Sequence, residues 1–158
     1  FKILFRKGES LGANAFALPD GSIVFTDELI DLLQKDEEIF AIFAHELGHV
    51  VERHSLKQLL QSTSVAIISY LILGEATEGL LEALNALPAM LMNSSYSREF
   101  ESEADDYAIN LLKQLQISPE HLGNALASLS HYHSEEEGIK YLQTHPPTKE
   151  RILKTQNP

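Results

Sequence analysis

The sequence predicts a mainly α-helical α+β protein with a small β-sheet at its N-terminus. In two stretches, residues 39–51 and 97–115, apolar side chains recur at intervals of three and four, the period of an amphipathic helix. Three short runs before residue 27 are instead rich in Phe, Ile and Val and contain turn-forming residues between them. The chain has 158 residues, a length typical of one domain, so we expect a single domain over residues 1–158.

The N-terminal runs are expected to form the only sheet of the protein. A Pro-Asp-Gly turn at 19–21 separates the second run from the third, which favours a pair of adjacent strands. Thr26 is then expected to cap a helix that extends through Leu33. The predicted strands are Phe1–Arg6, Ala13–Leu18 and Ser22–Thr26.

The next predicted helix begins with Asp36 as its N-cap and continues to about Gln61. Acidic residues fill its first turn, where the helix dipole favours negative charge. Gly48 stands in the middle of this helix, at a cost of about 1 kcal/mol relative to alanine. A glycine at that place indicates that some other group must approach the helix backbone closely.

This helix contains the pattern H-E-x-x-H, written HELGH at 45–49. Because residues four apart lie above one another on a helix, His45 and His49 can bind one zinc ion together, at about 2.0–2.1 Å. Glu46 lies beside the first histidine and can act as a base toward water without binding the metal. The pattern is typical of metal-assisted peptide hydrolysis, although surface residues also produce it by chance.

A catalytic zinc ion takes three protein ligands, so a third must come from elsewhere. The chain has no cysteine, which leaves histidine or a carboxylate. The metzincin pattern requires a histidine at position 55, which is occupied by Ser55, so that class is excluded. On a continuous helix His54 points away from His49, and we interpret it as a surface residue or as one that touches a ligand from behind.

The helix predicted over Ser97–Leu115 offers three candidates for the third ligand, Glu99, Glu101 and Glu103. We favour Glu101, because Asp105 lies four residues further on the same face and could orient a metal-bound histidine. A solvated acidic face is the alternative interpretation. The apolar stripe predicted for this helix is Phe100, Ala104, Tyr107, Ala108, Leu111 and Leu115.

The remaining elements are predicted from caps and prolines. Ser118 and Pro119 open a helix, and a capping box at Ser134–Glu137 predicts a short helix toward Gln143. Residues 144–147 read as a rigid proline loop, followed by a last helix from Lys149 to about Thr155. Residues 62–92 contain a nine-residue apolar run, Val65–Leu73, and a helical pattern over Gly79–Met92. Since a bilayer requires roughly 20 apolar residues, we interpret this region as a buried helix, an interfacial hairpin or a mobile flap.

Four segments in this order resemble metallopeptidase family forty-eight. This family comprises the HtpX, CAAX prenyl protease and BepA-like gluzincins, which are zinc metalloendopeptidases with a zincin-like fold. The resemblance covers nearly the whole chain and is more specific than HELGH alone. The segments are GANAFALPDGSIVFTDELI at 12–30, HELGH at 45–49, SREFESEAD at 97–105 and THPPTKERI at 144–152.

The resemblance implies one zinc ion per chain, bound by His45, His49 and Glu101. It makes Glu46 the general base and Asp105 the supporting aspartate. It also implies substrate-binding or regulatory positions at Asn14, His145 and Arg151. For His145 a capping or core role is the alternative, and the other histidines that match no motif are expected at the surface: His121, His131 and His133.

The function implied is hydrolysis of peptide bonds in proteins, with unfolded or misfolded chains as expected substrates. By analogy with the family we expect a role in protein quality control in the bacterial cell envelope, periplasmic or membrane-associated, while a cytoplasmic location stays open. The chain begins at Phe1, so we interpret it as an excised domain or a processed product of a longer protein. Any membrane anchor of that protein is then expected outside these residues. The long membrane helices of many relatives are missing here, which favours a soluble catalytic domain over intramembrane cleavage of prenyl peptides.

Other function classes are weighed against this one. A net charge of −11 argues against a nucleic-acid partner, since phosphate binding needs a basic face. A latent protease that acts as a binding or chaperone-like module, with His145 blocking the zinc, is the main alternative. An inert helical domain that binds no metal is the second alternative.

Overall fold

The computed structural model describes residues 1–61, 95–133 and 139–156, and within these ranges the chain forms one sheet, seven α-helices and a short 3-10 helix, Glu9–Leu11. The strands are β1 (Lys2–Arg6), β2 (Ala15–Ala17) and β3 (Ser22–Thr26). The helices are α1 (Asp27–Leu33), α2 (Asp36–Val51), α3 (54–61), α4 (Arg98–Gln114), α5 (Glu120–His133), α6 (Lys140–Thr144) and α7 (Lys149–Gln156). The predictions for Val65–Leu73, Gly79–Met92 and the capping box at 134–137 lie outside the described residues.

The predicted sheet is present, with β3 in the middle, parallel to β1 and antiparallel to β2. Every residue of β3 is buried, whereas β2 is an edge strand of three residues, shorter than the predicted Ala13–Leu18. In the turn between them, the Asp20 carboxylate accepts a hydrogen bond from the Ser22 N–H at 2.9 Å, and Gly21 has a φ of 85°. The turn predicted at 19–21 is therefore confirmed.

Helix α2 crosses α4 at Gly48. A Cβ atom added to Gly48 would lie 2.9 Å from both the Cα and the carbonyl oxygen of Ala104, closer than a side chain tolerates. The glycine therefore permits a backbone-to-backbone approach, as its position in the middle of the helix predicted. Because Glu101 and Asp105 flank Ala104 on α4, this approach carries both carboxylates to the histidines of α2.

The helix predicted from Asp36 to about Gln61 is wrong in its second half, because α2 ends at Val51. Arg53 adopts a left-handed conformation with a φ of 56°, and α3 begins at the next residue, His54. The apolar stripe of α2 ends at Val51, since residues 52–55 are polar and the apolar residues from Leu56 onward would lie on another side of a continued helix. The break turns His54 inward, where its side chain is fully buried, so the interpretation of His54 as a surface residue is wrong. The alternative interpretation, contact with a ligand from behind, agrees with the observed contact between His54 and His49.

Two further details differ from the sequence predictions. Lys35, not Asp36, occupies the N-cap position of α2, and it pairs with the buried Glu38 at 2.8 Å. The buried face of α4 is rotated from the predicted stripe, so that Leu115 is half exposed. The rotation places carboxylates, not only apolar groups, against α2. The buried residues of α4 are Glu101, Ala104, Asp105, Ala108, Ile109 and Leu112.

The predicted cap at Thr26 is confirmed, because its hydroxyl accepts from the Leu29 N–H of α1 at 3.3 Å. The Ser97 hydroxyl caps α4 in the same way, accepting from the Phe100 N–H at 3.2 Å. Leu122, Leu126 and Leu129 of α5 are fully buried in the core that α2 shares with its neighbours. Among the described residues, none of the helices has the length and apolarity needed to cross a membrane.

Candidate active site

His45, His49 and Glu101 converge on one point between α2 and α4. The Nε2 atoms of the two histidines are 3.0 Å apart. The Glu101 carboxylate completes a triangle, with Oε1 3.3 Å from His49 Nε2 and Oε2 3.5 Å from His45 Nε2. All three side chains are buried. Three groups that each present a lone pair to the same point stabilise one another only if a proton or a cation lies between them.

The spacing of these atoms fits a small divalent metal ion. A tetrahedral zinc site with ligand distances of about 2.0–2.2 Å places its ligand atoms about 3.3 Å from one another. The three observed distances, 3.0, 3.3 and 3.5 Å, bracket that value. With His145 included, one ligand atom from each of four residues lies within 4.8 Å of the others. The donor set of imidazole and carboxylate is one that zinc accepts.

The second nitrogen of His45 is held by a buried charged pair. The Nδ1–H of His45 donates to Asp105 Oδ1 at 2.9 Å, which leaves Nε2 free to face the cluster. Arg151 binds the same aspartate with two donors, from Nε to Oδ2 and from Nη2 to Oδ1, both at 2.8 Å. The guanidinium group also pairs with Glu101 and donates to the Pro146 carbonyl oxygen at 3.1 Å. Arg151 thus ties α7 to both carboxylates of α4.

These contacts set the protonation of the cluster when no metal is bound. Burial lowers the pKa of His45, but the hydrogen bonds that its ring donates to Asp105 and Glu101 outweigh burial and raise the pKa to about 9. Burial raises the pKa of Asp105, and its contacts with His45 and Arg151 reverse this effect and lower the pKa to about 2. The pKa of Glu101 is also well below its ordinary value, because neighbouring His145 and His45 overcome the effect of burial. A proton on His45 therefore compensates the carboxylates until a cation replaces it.

The second nitrogen of His49 is held differently, by another imidazole. His49 Nδ1 lies 2.9 Å from His54 Nδ1, and His54 Nε2 lies 2.9 Å from Glu103 Oε2. The His49 ring stacks on Tyr96 with centroids 4.0 Å apart, and the His54 ring stacks on Phe100 at 4.2 Å. Burial lowers the pKa of both histidines, which favours their neutral forms.

Glu46 is fully buried beside the cluster and is not among its ligand atoms. Neither of its carboxylate oxygens has a hydrogen-bond partner among the described residues. Oε1 lies 3.5 Å from Nε2 of His145. A buried carboxylate without a partner is costly, so its presence at this point indicates a group that has to meet water, substrate or a proton.

His145 enters the cluster from the end of α6. Its Nδ1 lies 2.9 Å from Glu101 Oε1 and 3.4 Å from His45 Nε2. The ring stacks on Tyr141 with centroids 4.5 Å apart, and the His145 backbone N–H donates to the Tyr141 carbonyl oxygen at 2.8 Å. Tyr141, one turn earlier in α6, therefore fixes the position of the His145 imidazole, and two prolines follow His145 in the sequence. Its role, inhibitory or supportive, stays a prediction.

Asn14 lies directly before β2 and is completely buried. Its backbone N–H donates to Thr26 Oγ1 at 2.8 Å, and its carbonyl oxygen accepts from the Thr26 N–H at 3.0 Å. Neither atom of its side-chain amide has a partner among the described residues. The role of Asn14 in substrate binding stays a prediction.

The other glutamates and histidines considered in the sequence analysis lie outside the cluster where the structure describes their side chains. Glu99 is exposed, and Glu103 contacts His54 rather than the cluster. His131 is exposed as expected, and His121 is only partly buried. The side chain of His133 lies outside the described residues.

Sequence reasoning missed Tyr96, which connects three parts of the site. Its ring stacks on His49, and its hydroxyl shares a 2.7 Å hydrogen bond with Ser55. The Ser55 hydroxyl in turn donates to the Ala17 carbonyl oxygen at 2.7 Å, so the chain of contacts reaches the edge strand β2. An aromatic residue immediately before the helix cap Ser97 was the available signal, since that cap begins the helix that carries Glu101.

Comparison with known proteins decides the family. The family model for peptidase family M48 matches residues 5–158. The chain belongs to peptidase family M48. It is 33 % identical to the metalloproteases YcaL, over 143 residues, and LoiP, over 141 residues, both from Escherichia coli K12. It is 30 % identical over 138 residues to the mitochondrial metalloendopeptidase OMA1 of Arabidopsis thaliana.

Each of these alignments covers 87 % of the 158-residue chain. The chain spans 55 % of the length of YcaL and of LoiP, about half of each, and 28 % of the length of OMA1. Membership confirms the predicted family and the predicted enzyme class, a metalloendopeptidase hydrolase. It agrees with a mainly helical fold that brings two histidines and a glutamate together.

Proposed function

We propose that residues 1–158 form a single zinc metalloendopeptidase domain that hydrolyses peptide bonds within protein substrates. The observation that carries the proposal is the triangle of His45, His49 and Glu101, beside which the buried carboxylate of Glu46 accepts no hydrogen bond from the described residues. In this proposal His45, His49 and Glu101 bind one zinc ion per chain. Glu46 is the general base that takes a proton from the attacking water. The metalloproteases to which the chain is similar support the same assignment.

The chemistry is divided between the metal and the chain. Zinc bound at this site would polarise the scissile carbonyl group and lower the pKa of a water molecule toward 7. Glu46 accepts the proton of the attacking water on a carboxylate oxygen and delivers it to the leaving amine. Asp105 keeps the proton of His45 on Nδ1, so that Nε2 stays directed at the metal. Arg151 holds Asp105 and Glu101 in register, which supports a positioning role for it.

The substrate is expected to lie extended along β2, the edge strand nearest to α2. An extended peptide adds to such an edge through main-chain hydrogen bonds. The carbonyl oxygens of Ala13 and Ala17 already accept from the Tyr141 N–H and the Ser55 hydroxyl, so a peptide could not pair with these two groups. The side-chain amide of Asn14, which has no hydrogen-bond partner among the described residues, is the group proposed to bind a substrate carbonyl.

A second candidate function is a latent protease that binds unfolded chains with its zinc site blocked. The observation that favours it is the position of His145, whose Nδ1 is within 3.4 Å of a ligand atom of His45 and 2.9 Å from Glu101. A neutral imidazole there could occupy the position that water needs. Alternatively, the same imidazole could donate a hydrogen bond to the oxyanion that forms on the substrate.

The His145→Ala variant separates these two roles. Activity rises if His145 blocks the site, and falls about 10²–10³-fold if it stabilises the oxyanion. The measurement is the initial rate on an unfolded substrate, with thermal unfolding of the same variant as control. Unchanged activity together with lower stability would show that His145 only anchors α6 and α7, and both roles would then be dropped.

For the full-length protein we propose a role in quality control in the bacterial cell envelope, with unfolded or misfolded proteins as substrates. The family resemblance carries this proposal, and the mitochondrial name of one relative also places a family member in a membrane-bounded compartment. Fractionation of cells that express the full-length protein would test it. Recovery in the cytosolic fraction alone would contradict it.

Proteolysis of denatured casein by the purified chain tests the activity itself. We expect cleavage that a chelator abolishes and that stoichiometric zinc restores. The Glu99→Ala variant is a matched control, because Glu99 is an exposed carboxylate of the same helix and lies outside the cluster. Cleavage that persists in chelator, or binding of casein without cleavage at any zinc concentration, would contradict the proposed protease.

A further inference from the structure

His54 contacts the imidazole of His49 from behind, on the side away from the cluster. The two Nδ1 atoms are 2.9 Å apart, so one of them donates a hydrogen bond to the other. His54 is completely buried, and its Nε2 lies 2.9 Å from Glu103 Oε2. The three side chains form a line that begins at the cluster and ends at a half-exposed carboxylate, since 42 % of the Glu103 side chain is accessible.

The direction of both hydrogen bonds follows from the acceptor at the end of the line. An ionised carboxylate only accepts, so His54 donates from Nε2 to Glu103. A neutral imidazole has one N–H, and Nδ1 of His54 is therefore an acceptor. His49 must then donate from its own Nδ1, which leaves the lone pair of its Nε2 directed at His45 and Glu101.

We propose that His54, itself held by Glu103, is a positioning residue that fixes the tautomer and the ring orientation of His49 for metal binding. This inference rests on the proposed metal centre and adds to it a support for the second histidine. Asp105 performs the corresponding task for His45 with a charged group, whereas His54 performs it with a neutral ring.

The local backbone explains how a residue five positions after His49 reaches it. A continuous helix would carry His54 to another face, but the left-handed Arg53 ends α2 and redirects the chain. The His54 ring is then enclosed by Phe100, on which it stacks with an interplanar angle of 11°. This stacking also defines the competing explanation, in which His54 is only a packed ring.

Two substitutions separate hydrogen bonding from packing. His54→Phe keeps a flat ring on Phe100 but removes the acceptor for His49. His54→Asn loses the ring but places its Oδ1 where the Nδ1 of histidine was, so the acceptor is retained. The control is His131→Phe, the same exchange at an exposed histidine of α5.

The first readout is the Kd for zinc, measured by competition with a chromophoric chelator. We expect His54→Phe to bind zinc about 10–100-fold more weakly than the original chain, the usual effect of losing the partner of a ligating histidine. His54→Asn should recover most of this loss, and His131→Phe should leave the Kd unchanged. Equal affinity in the original chain and in both His54 variants would overturn the proposal.

The second readout is the ¹⁵N spectrum of the imidazoles in the metal-free protein. In the original chain we expect His49 to carry its proton on Nδ1, and in His54→Phe the Nε2–H tautomer should gain population. An unchanged tautomer would overturn the role of His54 even if zinc affinity fell. Should the original chain bind no zinc, the proposed metal centre would fail, whereas the tautomer would still report whether His54 controls His49.

Discussion

The two histidines of HELGH lie one turn apart on α2, yet their supports have little in common. His45 rests on a buried aspartate that Arg151 neutralises, and neither partner is appreciably exposed. His49 rests on a neutral imidazole whose far end reaches Glu103 at the protein surface. The residues that hold His45 come from α4 and from the C-terminal helix α7. The residue that contacts His49 comes from α3.

The difference has energetic consequences. A buried ion pair is destabilised strongly when one partner is removed, because the other charge is left without compensation. A hydrogen bond that ends at a half-exposed carboxylate can be replaced by water at much lower cost. We therefore infer that the His45 side of the site is rigid and intolerant of change, while the His49 side tolerates substitution at its outer end.

The largest effect is expected from a change that leaves both supports intact. Glu46→Gln removes the base while keeping its size, and it alters no ligand atom of the cluster. Turnover of denatured casein should fall by about 10²- to 10⁴-fold, the contribution of a positioned general base. Zinc content should stay the same in this variant, measured by atomic absorption after gel filtration. Near-normal turnover by Glu46→Gln would rule out its role as the base.

The comparison of the two supports predicts unequal effects of their carboxylates. Asp105→Ala should weaken zinc binding by about 10–100-fold, since it also leaves Arg151 without its main partner. Glu103→Ala should have a smaller effect, because water can accept the hydrogen bond of His54. Chelator competition on both variants gives the two Kd values, with Glu99→Ala as control. Equal losses would mean that the two sides do not differ as proposed.

A smaller effect concerns the pH dependence of the metal-free protein. Folding raises the pKa of His45 from 6.5 to about 9, so its contribution to stability is complete below pH 6.5 and is lost as the pH rises to 9. The pKa values of His49 and His54 are lowered, so both are neutral in the folded protein, and their opposing contribution is confined to pH values near and below 6.5, where the unfolded chain still binds protons. The free energy of unfolding in urea, with chelator present, should therefore fall between pH 6.5 and 9.

The zinc-loaded protein supplies the control for that measurement. Its ligands are already deprotonated, so the same decline should be absent. A free energy of unfolding that stays constant or rises between pH 6.5 and 9 in the metal-free protein would show that His45 does not carry the proton assigned to it.

The parts of the site that could be predicted are those that local spacing determines. Four-residue spacing placed His45 over His49, and the same rule distinguished Glu101, with Asp105 on its face, from Glu99 and Glu103. The cap at Thr26 and the turn at Asp20 also follow from local chemistry. In each case the interacting residues are close in sequence, so a helical or turn geometry is enough.

The parts that could not be predicted depend on where distant segments meet. The polar run 52–55 interrupts the apolar stripe, but only the folded chain shows that the left-handed Arg53 brings His54 to His49. Tyr96 gains its place only because the chain before α4 passes over the His49 ring. The approach of His145 to the cluster came from the family resemblance, since no spacing rule relates residues 100 positions apart.

Zinc content tests the central claim most directly, namely that His45, His49 and Glu101 form one metal site. The original chain and the variants Glu101→Ala and Glu99→Ala would each be saturated with zinc, passed through gel filtration and analysed for metal. We expect one zinc ion per chain in the original protein and in Glu99→Ala, and little or none in Glu101→Ala. Equal zinc content in all three proteins, or none in the original chain, would contradict the account.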